Sequence, residues 1–222
     1  SVMARNFLAS CVHKMYNGLR SETKMLEDFD MGREFELKFA ATKGDHEALQ
    51  ARFGNLSPII METTYYDVPG GSLRDLHWTL RRRMENGIAV CALKTPGEGF
   101  GHGEWEVSCN RIEDAIGPLL AKGAPEQLAE FAAEGLIAVC GARFTRLAGL
   151  IDAPGCTVEL ALDEGFLLGG GKEAPLCEIE VELKDGSEEA AAVFAMFLAQ
   201  QYGLRPETRS KIARAMALAS DK

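Results

Sequence analysis

The sequence predicts a mainly β, α+β fold: one antiparallel sheet closed or nearly closed into a barrel, with a charged lumen and helices packed on the outside. Three observations lead there. Charged and large apolar residues alternate with period two in Arg33-Glu34-Phe35-Glu36-Leu37-Lys38-Phe39, and the pattern returns in Glu104-Trp105-Glu106 and Glu178-Ile179-Glu180-Val181-Glu182-Leu183-Lys184. Asn86-Gly87 separates two strand-like runs, and Asn-Gly is the preferred pair for a two-residue type I′ hairpin. Strand-like runs also outnumber helical ones, and most are joined locally, as antiparallel neighbours are.

Taken in order, residues 1–31 read as an N-terminal extension of unknown role, in which the spacing over 6–26 is compatible with a short amphipathic helix. Residues 32–222 read as a single domain. The first acidic strand is followed by a helix over 45–53 that ends at Gly54, a plausible C-cap. A strand over 59–67 is broken by Pro69-Gly70-Gly71. The hairpin comes next, with strands over 76–85 and 88–94. A type I′ turn at Asn86-Gly87 makes Glu85 face Ile88, so Arg83 opposes Val90, Arg81 opposes Ala92 and Thr79 opposes Lys94. Arg81, Arg83 and Lys94 then share one face of the hairpin, and Arg82 lies on the other. A strand over 104–109 leads into a helical stretch over 112–131, interrupted at 123–125. Strands over 137–150, 157–163 and 177–184 follow, the last reached through Gly169-Gly170-Gly171. Helices over 188–201 and 207–218 complete the chain, the second carrying Lys211 and Arg214.

If helices cover the outside of the sheet, Phe35, Leu37, Trp105, Ile179, Val181 and Leu183 must face them, and the charged parity points into the lumen. Two carboxylates about 5 Å apart repel by roughly 3 kcal/mol at an effective dielectric near 20. Several glutamates in one lumen therefore require cations between them, and a divalent metal and the Arg/Lys set are the candidates. Oxygen-only ligands favour a hard ion, Mg²⁺ or Mn²⁺, and no His or Cys pair suggests zinc.

Composition bounds the function. The chain has 222 residues, 46% of them hydrophobic, enough for a substantial core, and a net charge of −9. That balance argues against a general nucleic-acid binder, which needs a basic surface for phosphates. Any anionic ligand must be held by a local cluster of Arg and Lys or by a metal. Cys11, Cys91, Cys109, Cys140, Cys156 and Cys177 show no CxxC spacing and read as reduced thiols. No run approaches a membrane span, and the opening residues lack the continuous apolar region of a signal peptide. The expectation is a cytoplasmic monomer or homodimer that takes a small molecule and engages neither nucleic acid nor membrane.

An ordered series of motifs resembles one family. Glu34-x-Glu36-x-Lys38, Tyr65-Tyr66-Asp67, Leu80-Arg81-Arg82-Arg83, Leu93-Lys94, Glu104-x-Glu106, Thr157-Val158-Glu159-Leu160-Ala161-Leu162-Asp163, Glu178-x-Glu180-x-Glu182 and Ser210-Lys211 follow one another as in the CYTH, or triphosphate tunnel metalloenzyme, superfamily, most like its bacterial inorganic triphosphatases. The resemblance implies an antiparallel β-tunnel that binds a triphosphate on a basic wall and holds Mg²⁺ or Mn²⁺ through glutamates. By position it implies Glu34, Glu36, Glu178 and Glu180 as the main metal carboxylates, joined by Glu104, Glu106 and Glu182. Lys38, Arg81, Arg83, Lys94, Arg146 and Lys211 would grip the phosphates, with Arg143 or Arg209 as further candidates. Glu34, Glu36, Lys38 and Glu180 would carry the catalysis. Asp163 and Glu159 are equally readable as hydrogen-bonded tunnel residues and as ligands, and Tyr65 and Tyr66 as core aromatics with one hydroxyl reaching the lumen.

Because a triphosphate repels an incoming nucleophile, positioning and charge neutralisation dominate phosphoryl transfer. The leading expectation is metal-dependent hydrolysis of inorganic tripolyphosphate or a small organic triphosphate to orthophosphate and a diphosphate product. A class IV-type adenylyl cyclase, making cyclic AMP from ATP, is the alternative; it also needs an adenine pocket that no motif identifies. A non-catalytic polyphosphate or nucleotide binder is the third reading.

Overall fold

The computed structural model describes residues 35–96 and 102–220. Glu34 and the extension over 1–31 lie outside the described residues. Nine strands form one sheet: β1 (Glu36–Ala40), β2 (Ser57–Asp67), β3 (Thr79–Glu85), β4 (Ile88–Pro96), β5 (His102–Ser108), β6 (Ile137–Ala153), β7 (Cys156–Gly169), β8 (Lys172–Gly186) and β9 (Arg205–Pro206). Their spatial order is β5-β4-β3-β2-β6-β7-β8-β1-β9, and every neighbouring pair is antiparallel. Among the described residues no hydrogen-bonded pair closes this order, so the sheet curls into a tunnel-like trough whose closure is not made by a strand ladder.

The hairpin register is the one the Asn-Gly turn dictates: Thr79 opposes Lys94, Arg81 opposes Ala92 and Arg83 opposes Val90. Asn86 and Gly87 both have positive φ, 49° and 87°, as a type I′ turn requires. Following paired positions across the ladders puts the charged parity of β1, β3, β4, β5, β6, β7 and β8 on one concave face. The apolar parity faces outward into two clusters. In one, Phe39, Ile179, Val181, Leu160 and Leu162 pack with helices α1 (Lys43–Phe53) and α5 (Glu188–Tyr202), and Phe35, Leu37 and Leu183 border it. In the other, Leu80, Cys91, Leu93 and Trp105 pack with α3 (Ile112–Ala121) and α4 (Gln127–Ala133).

Helix starts follow local chemistry. Thr42 and Asp45 form a capping box at the head of α1, and Ser187 caps α5 by accepting a hydrogen bond from the Ala190 amide. The helical stretch expected over 112–131 is split into α3 and α4, with Gly123 in the left-handed region at φ 94°. β3 begins at Thr79, three residues later than its apolar pattern suggests. The buried Asp67 carboxylate accepts the amides of Val68, Leu73 and Arg74 and turns the chain into the short helix α2 (Ser72–Asp75).

Helix α6 (Lys211–Ser220) departs from the expected exterior layer. It lies against the concave face, where Ile212, Ala215 and Met216 pack on Met61, Tyr65, Cys140, Ala142, Phe144 and Leu167. At this end the lumen parity carries apolar residues, and an amphipathic helix is what covers them. Gly169 permits the approach: a Cβ there would stand 2.0 Å from the Ala215 carbonyl oxygen. The helix also starts later than the pattern over 207–218 suggests. Arg205 and Pro206 pair with β1, and the Glu207 amide donates to the Lys38 carbonyl at 2.9 Å, so the chain is extended there. The five cysteines among the described residues are free, and burial pushes the Cys91 and Cys140 thiols up to about 11 and about 12.

Candidate active site

The curled sheet brings β1, β2, β3, β4, β6 and β8 round one polar cavity of about 280 Å³, with α6 across one end. Its charged lining divides into a floor and a wall.

The floor is built by three adjacent strands and α6. Asp163 on β7 stands opposite Arg146 on β6 and Glu178 on β8, and Glu180 opposes Lys38 on β1. Arg146 makes a bidentate pair with Asp163, both bonds 2.8 Å, and its Nη2 also donates to Glu180. Lys211 Nζ, arriving from α6, lies 2.8 Å from Asp163 Oδ2 and 2.7 Å from Glu180 Oε1, and contacts Glu178 Oε1 as well. Arg214, one turn further along α6, closes on the other Glu178 oxygen. Asp163 and Glu178 are fully buried. Burial alone would drive the Lys211 proton off, but Asp163, Glu180 and Glu178 outweigh it and hold the ammonium well above its ordinary range. Burial likewise opposes a charged Glu180. Lys211 and Arg146 reverse that and keep its carboxyl well below the usual carboxylate range.

Towards the opening, Lys38 Nζ sits 3.2 Å from Glu36 Oε1 and 3.8 Å from Glu180 Oε1. Glu36 behaves oppositely to Glu180: burial, then the Glu180 charge, raise its carboxyl above the ordinary value against the pull of Lys38. Glu182 stands opposite Glu36 in the ladder and also lines the cavity.

The wall is the hairpin. Arg81 Nη2 lies 3.5 Å from both Glu104 and Glu106, Lys94 Nζ lies 2.9 Å from Glu104, and Arg83 Nη1 lies 3.3 Å from Glu85. Arg81, Arg83 and Lys94 line the cavity together with Thr63, Tyr65 and Thr79. The Arg83 Nε is buried with no hydrogen-bond partner among the described residues, as is the Arg214 Nε on the floor.

Of the residues singled out in the sequence, the structure brings Glu36, Lys38, Arg81, Arg83, Lys94, Arg146, Glu180 and Lys211 to one cavity. Glu178 is beneath it, sealed by Lys211 and Arg214. Glu104 and Glu106 back the wall as partners of Arg81 and Lys94. Arg143 points to the outer face, pairing with Glu173 at 2.6 Å, and the exposed Arg209 pairs with Glu207, so neither joins the cavity. Tyr65 is the tyrosine that reaches the lumen; Tyr66 packs on the outer cluster. The role of Arg214 was missed. Its signal was present, because a cation three residues after Lys211 falls on the same helix face.

Every charged oxygen offered to the cavity is a carboxylate, and among the described residues no His or Cys lines it, which fits a hard divalent ion. Asp163, Glu178 and Glu180 present oxygens within 4.8 Å of one another.

A curled antiparallel sheet with acids and bases on its concave face and a helix across one end defines a tunnel-like fold. The chain belongs to the CYTH domain family, matching it over residues 32–216. It is 26% identical over 164 residues to an inorganic triphosphatase of Haemophilus influenzae, an alignment covering 73% of this chain and 47% of that protein. The chain therefore spans about half the length of that relative. Among solved structures it resembles an adenylyl cyclase candidate from Hippeastrum that has a dominant triphosphatase activity, with a TM-score of 0.61, 20% identity and coverage of 83% and 95% of the two chains. A protein from Pyrococcus horikoshii OT3 is similar at a TM-score of 0.55, 24% identity and coverage of 85% and 99%. No helix among the described residues is long and apolar enough to cross a membrane.

Proposed function

We propose that the protein is a metal-dependent triphosphatase that hydrolyses inorganic tripolyphosphate, or a small organic triphosphate, to orthophosphate and a diphosphate product. The observation that carries this reading is the cavity itself: Arg81, Arg83, Lys94, Lys38, Arg146 and Lys211 converge on a space of about 280 Å³, opposite carboxylates of β1 and β8. That volume sits at the low end for ligand pockets, which suits a compact polyanion. The inorganic triphosphatase activity of the Haemophilus relative supports the substrate class.

In this reading the wall cations take the non-bridging phosphate oxygens and hold the chain in line, Arg83 through its free Nε and Arg81 through a guanidinium only loosely held by acids. Glu36 and Glu182, which face each other across the β1–β8 ladder, would hold Mg²⁺ or Mn²⁺. The ion, when bound, supplies charge neutralisation and Lewis acidity at the phosphate. A cavity glutamate that the ion does not engage would accept the proton of the attacking water.

A second reading has an observation of its own. A cavity of about 380 Å³ adjoins the first, sharing Thr79, Ser210 and Ile212; Tyr66, Trp78, Val139 and Met216 give it a mainly apolar lining, to which Asp67, Arg74 and His77 add polar groups. An aromatic and aliphatic annex beside the phosphates would suit the organic group of a nucleotide, as an organic triphosphatase or an adenylyl cyclase requires. One assay decides. The protein is incubated with tripolyphosphate and with ATP, with and without Mg²⁺ or Mn²⁺, and phosphate, pyrophosphate and cyclic AMP are measured. Phosphate release from tripolyphosphate is expected; cyclic AMP with pyrophosphate would establish the cyclase, and tight binding without turnover of either would leave only a binder.

A further inference from the structure

The three buried carboxylates Asp163, Glu178 and Glu180 have the donor chemistry of a divalent-metal site, yet a side chain already stands among them. Lys211 Nζ contacts all three, at 2.8 Å from Asp163, 2.7 Å from Glu180 and against Glu178. Arg146 covers the remaining oxygens of Asp163 and Glu180, and Arg214 covers that of Glu178. Three negative charges are thus met by three positive ones within the fold, and a dication added to them would enter a neutral cluster at the desolvation cost of any buried ion.

We infer that Lys211 is a built-in counter-ion that closes the Asp163–Glu178–Glu180 cluster to metal, so that the divalent ion of the proposed reaction is confined to the Glu36 and Glu182 side of the cavity. The inference rests on the triphosphatase reading only for the expectation that the cavity takes a metal; the exclusion itself follows from the charge balance. It assigns different work to residues that look alike in sequence. Glu178 and Glu180 belong to one Glu-x-Glu pair, but Glu178 serves α6 docking through Lys211 and Arg214 while Glu180 also faces the cavity. Without the lysine the cluster would hold three carboxylates and two guanidinium groups, a net buried charge of −1 with no cation standing among its three oxygens, which attracts a divalent ion.

The test is Mn²⁺ binding followed by calorimetric titration and by the electron paramagnetic resonance of the free ion. Wild-type protein and Asp163→Asn should bind Mn²⁺ with the same stoichiometry and with affinities within about threefold. Lys211→Met, which keeps the length of the stem and removes the charge, should take one further Mn²⁺ ion at least tenfold more tightly than the Asp163→Asn/Lys211→Met double variant does. If Lys211→Met does not fold in metal-free buffer, Mn²⁺ should restore its near-ultraviolet dichroism and raise its melting temperature. Loss of a Mn²⁺ ion from Asp163→Asn relative to wild type would overturn the inference. So would a Lys211→Met protein that neither gains an ion when folded nor responds to Mn²⁺ when unfolded. Phosphate release from tripolyphosphate by wild type, measured in parallel, reports on the triphosphatase reading alone, so failure of one is visible without failure of the other.

Discussion

The floor and the wall of the cavity use the same residue types and differ in what those residues are doing. On the floor, Asp163, Glu178 and Glu180 are buried; Lys211 reaches Asp163 and Glu180, and Arg146 reaches Asp163, at 2.7–2.8 Å, and Lys211 also contacts Glu178. On the wall, Arg81 stands 3.5 Å from Glu104 and Glu106, and the acids are partly solvated, Glu106 being half exposed. Floor charges are ion-paired with one another and fasten α6 into the concave face, although Glu178 Oε1 and Arg214 Nε make no hydrogen bond among the described residues. Arg81 and Arg83 are held loosely enough to leave donors for a ligand, whereas Lys94 pairs closely with Glu104. Charge in a tunnel therefore does not mark function by itself; the state of pairing does. Buried, fully paired groups chiefly fix the architecture, whereas half-paired ones can exchange partners without stranding a charge.

Metal withdrawal should separate the two regions most sharply. Chelation with excess EDTA is expected to abolish phosphate release and Mg²⁺ or Mn²⁺ to restore it, while the melting temperature stays within about 3 °C, because the floor is held by Lys211 and not by an ion. Full activity in chelator would remove the metal from the mechanism, and a collapse in melting temperature would place it in the floor.

Cutting the floor should be the largest effect on stability. Arg146→Ala leaves Asp163 and Glu180 without their guanidinium, and removing one partner of a buried pair costs about 3–5 kcal/mol. Urea or guanidinium denaturation measures it; a loss below about 1 kcal/mol would mean that the floor is more hydrated than its geometry implies. The opening should respond the other way. Glu36→Gln keeps the shape and removes a charge that is partly exposed, so turnover should fall at least tenfold, equivalent to about 1.4 kcal/mol, with stability nearly unchanged.

The division between floor and wall was only half legible in the sequence. Period-two alternation identified the charged face, and Asn86-Gly87 fixed the hairpin register residue by residue, because a type I′ turn allows one pairing. Parity therefore placed Arg81, Arg83 and Lys94 correctly. The floor depends on which strands are neighbours. Asp163 meets Arg146 on one side and Glu178 on the other only because β7 lies between β6 and β8, and local pattern does not carry that order. The lumen position of α6 was hidden for a similar reason. An amphipathic helix announces that it has an apolar face, not which surface of a sheet that face will cover. The start of β3 was misplaced because Asp67 acts through three amides spread over the next seven residues, a contact that apolar spacing does not register.

The smallest expected effect is the sharpest test of the wall. Arg81, Arg82 and Arg83 are consecutive, and composition cannot tell them apart. Register does: Arg81 and Arg83 face the cavity, whereas Arg82 turns outward and donates through Nε to the Asn110 carbonyl at 2.7 Å and through Nη2 to the Met84 sulfur at 3.0 Å. A charged hydrogen bond contributes about 1.5–3 kcal/mol, so Arg81→Ala and Arg83→Ala should each weaken triphosphate affinity or turnover roughly tenfold or more. Arg82→Ala gives up an exposed bond to a connecting segment and should remain within about twofold in kcat/KM. Steady-state kinetics on the three variants, with circular dichroism to confirm folding, makes the comparison. Equal losses at Arg82 and Arg81 would show that the ligand does not lie against this face of the hairpin, and the division between a structural floor and a binding wall would fall with it.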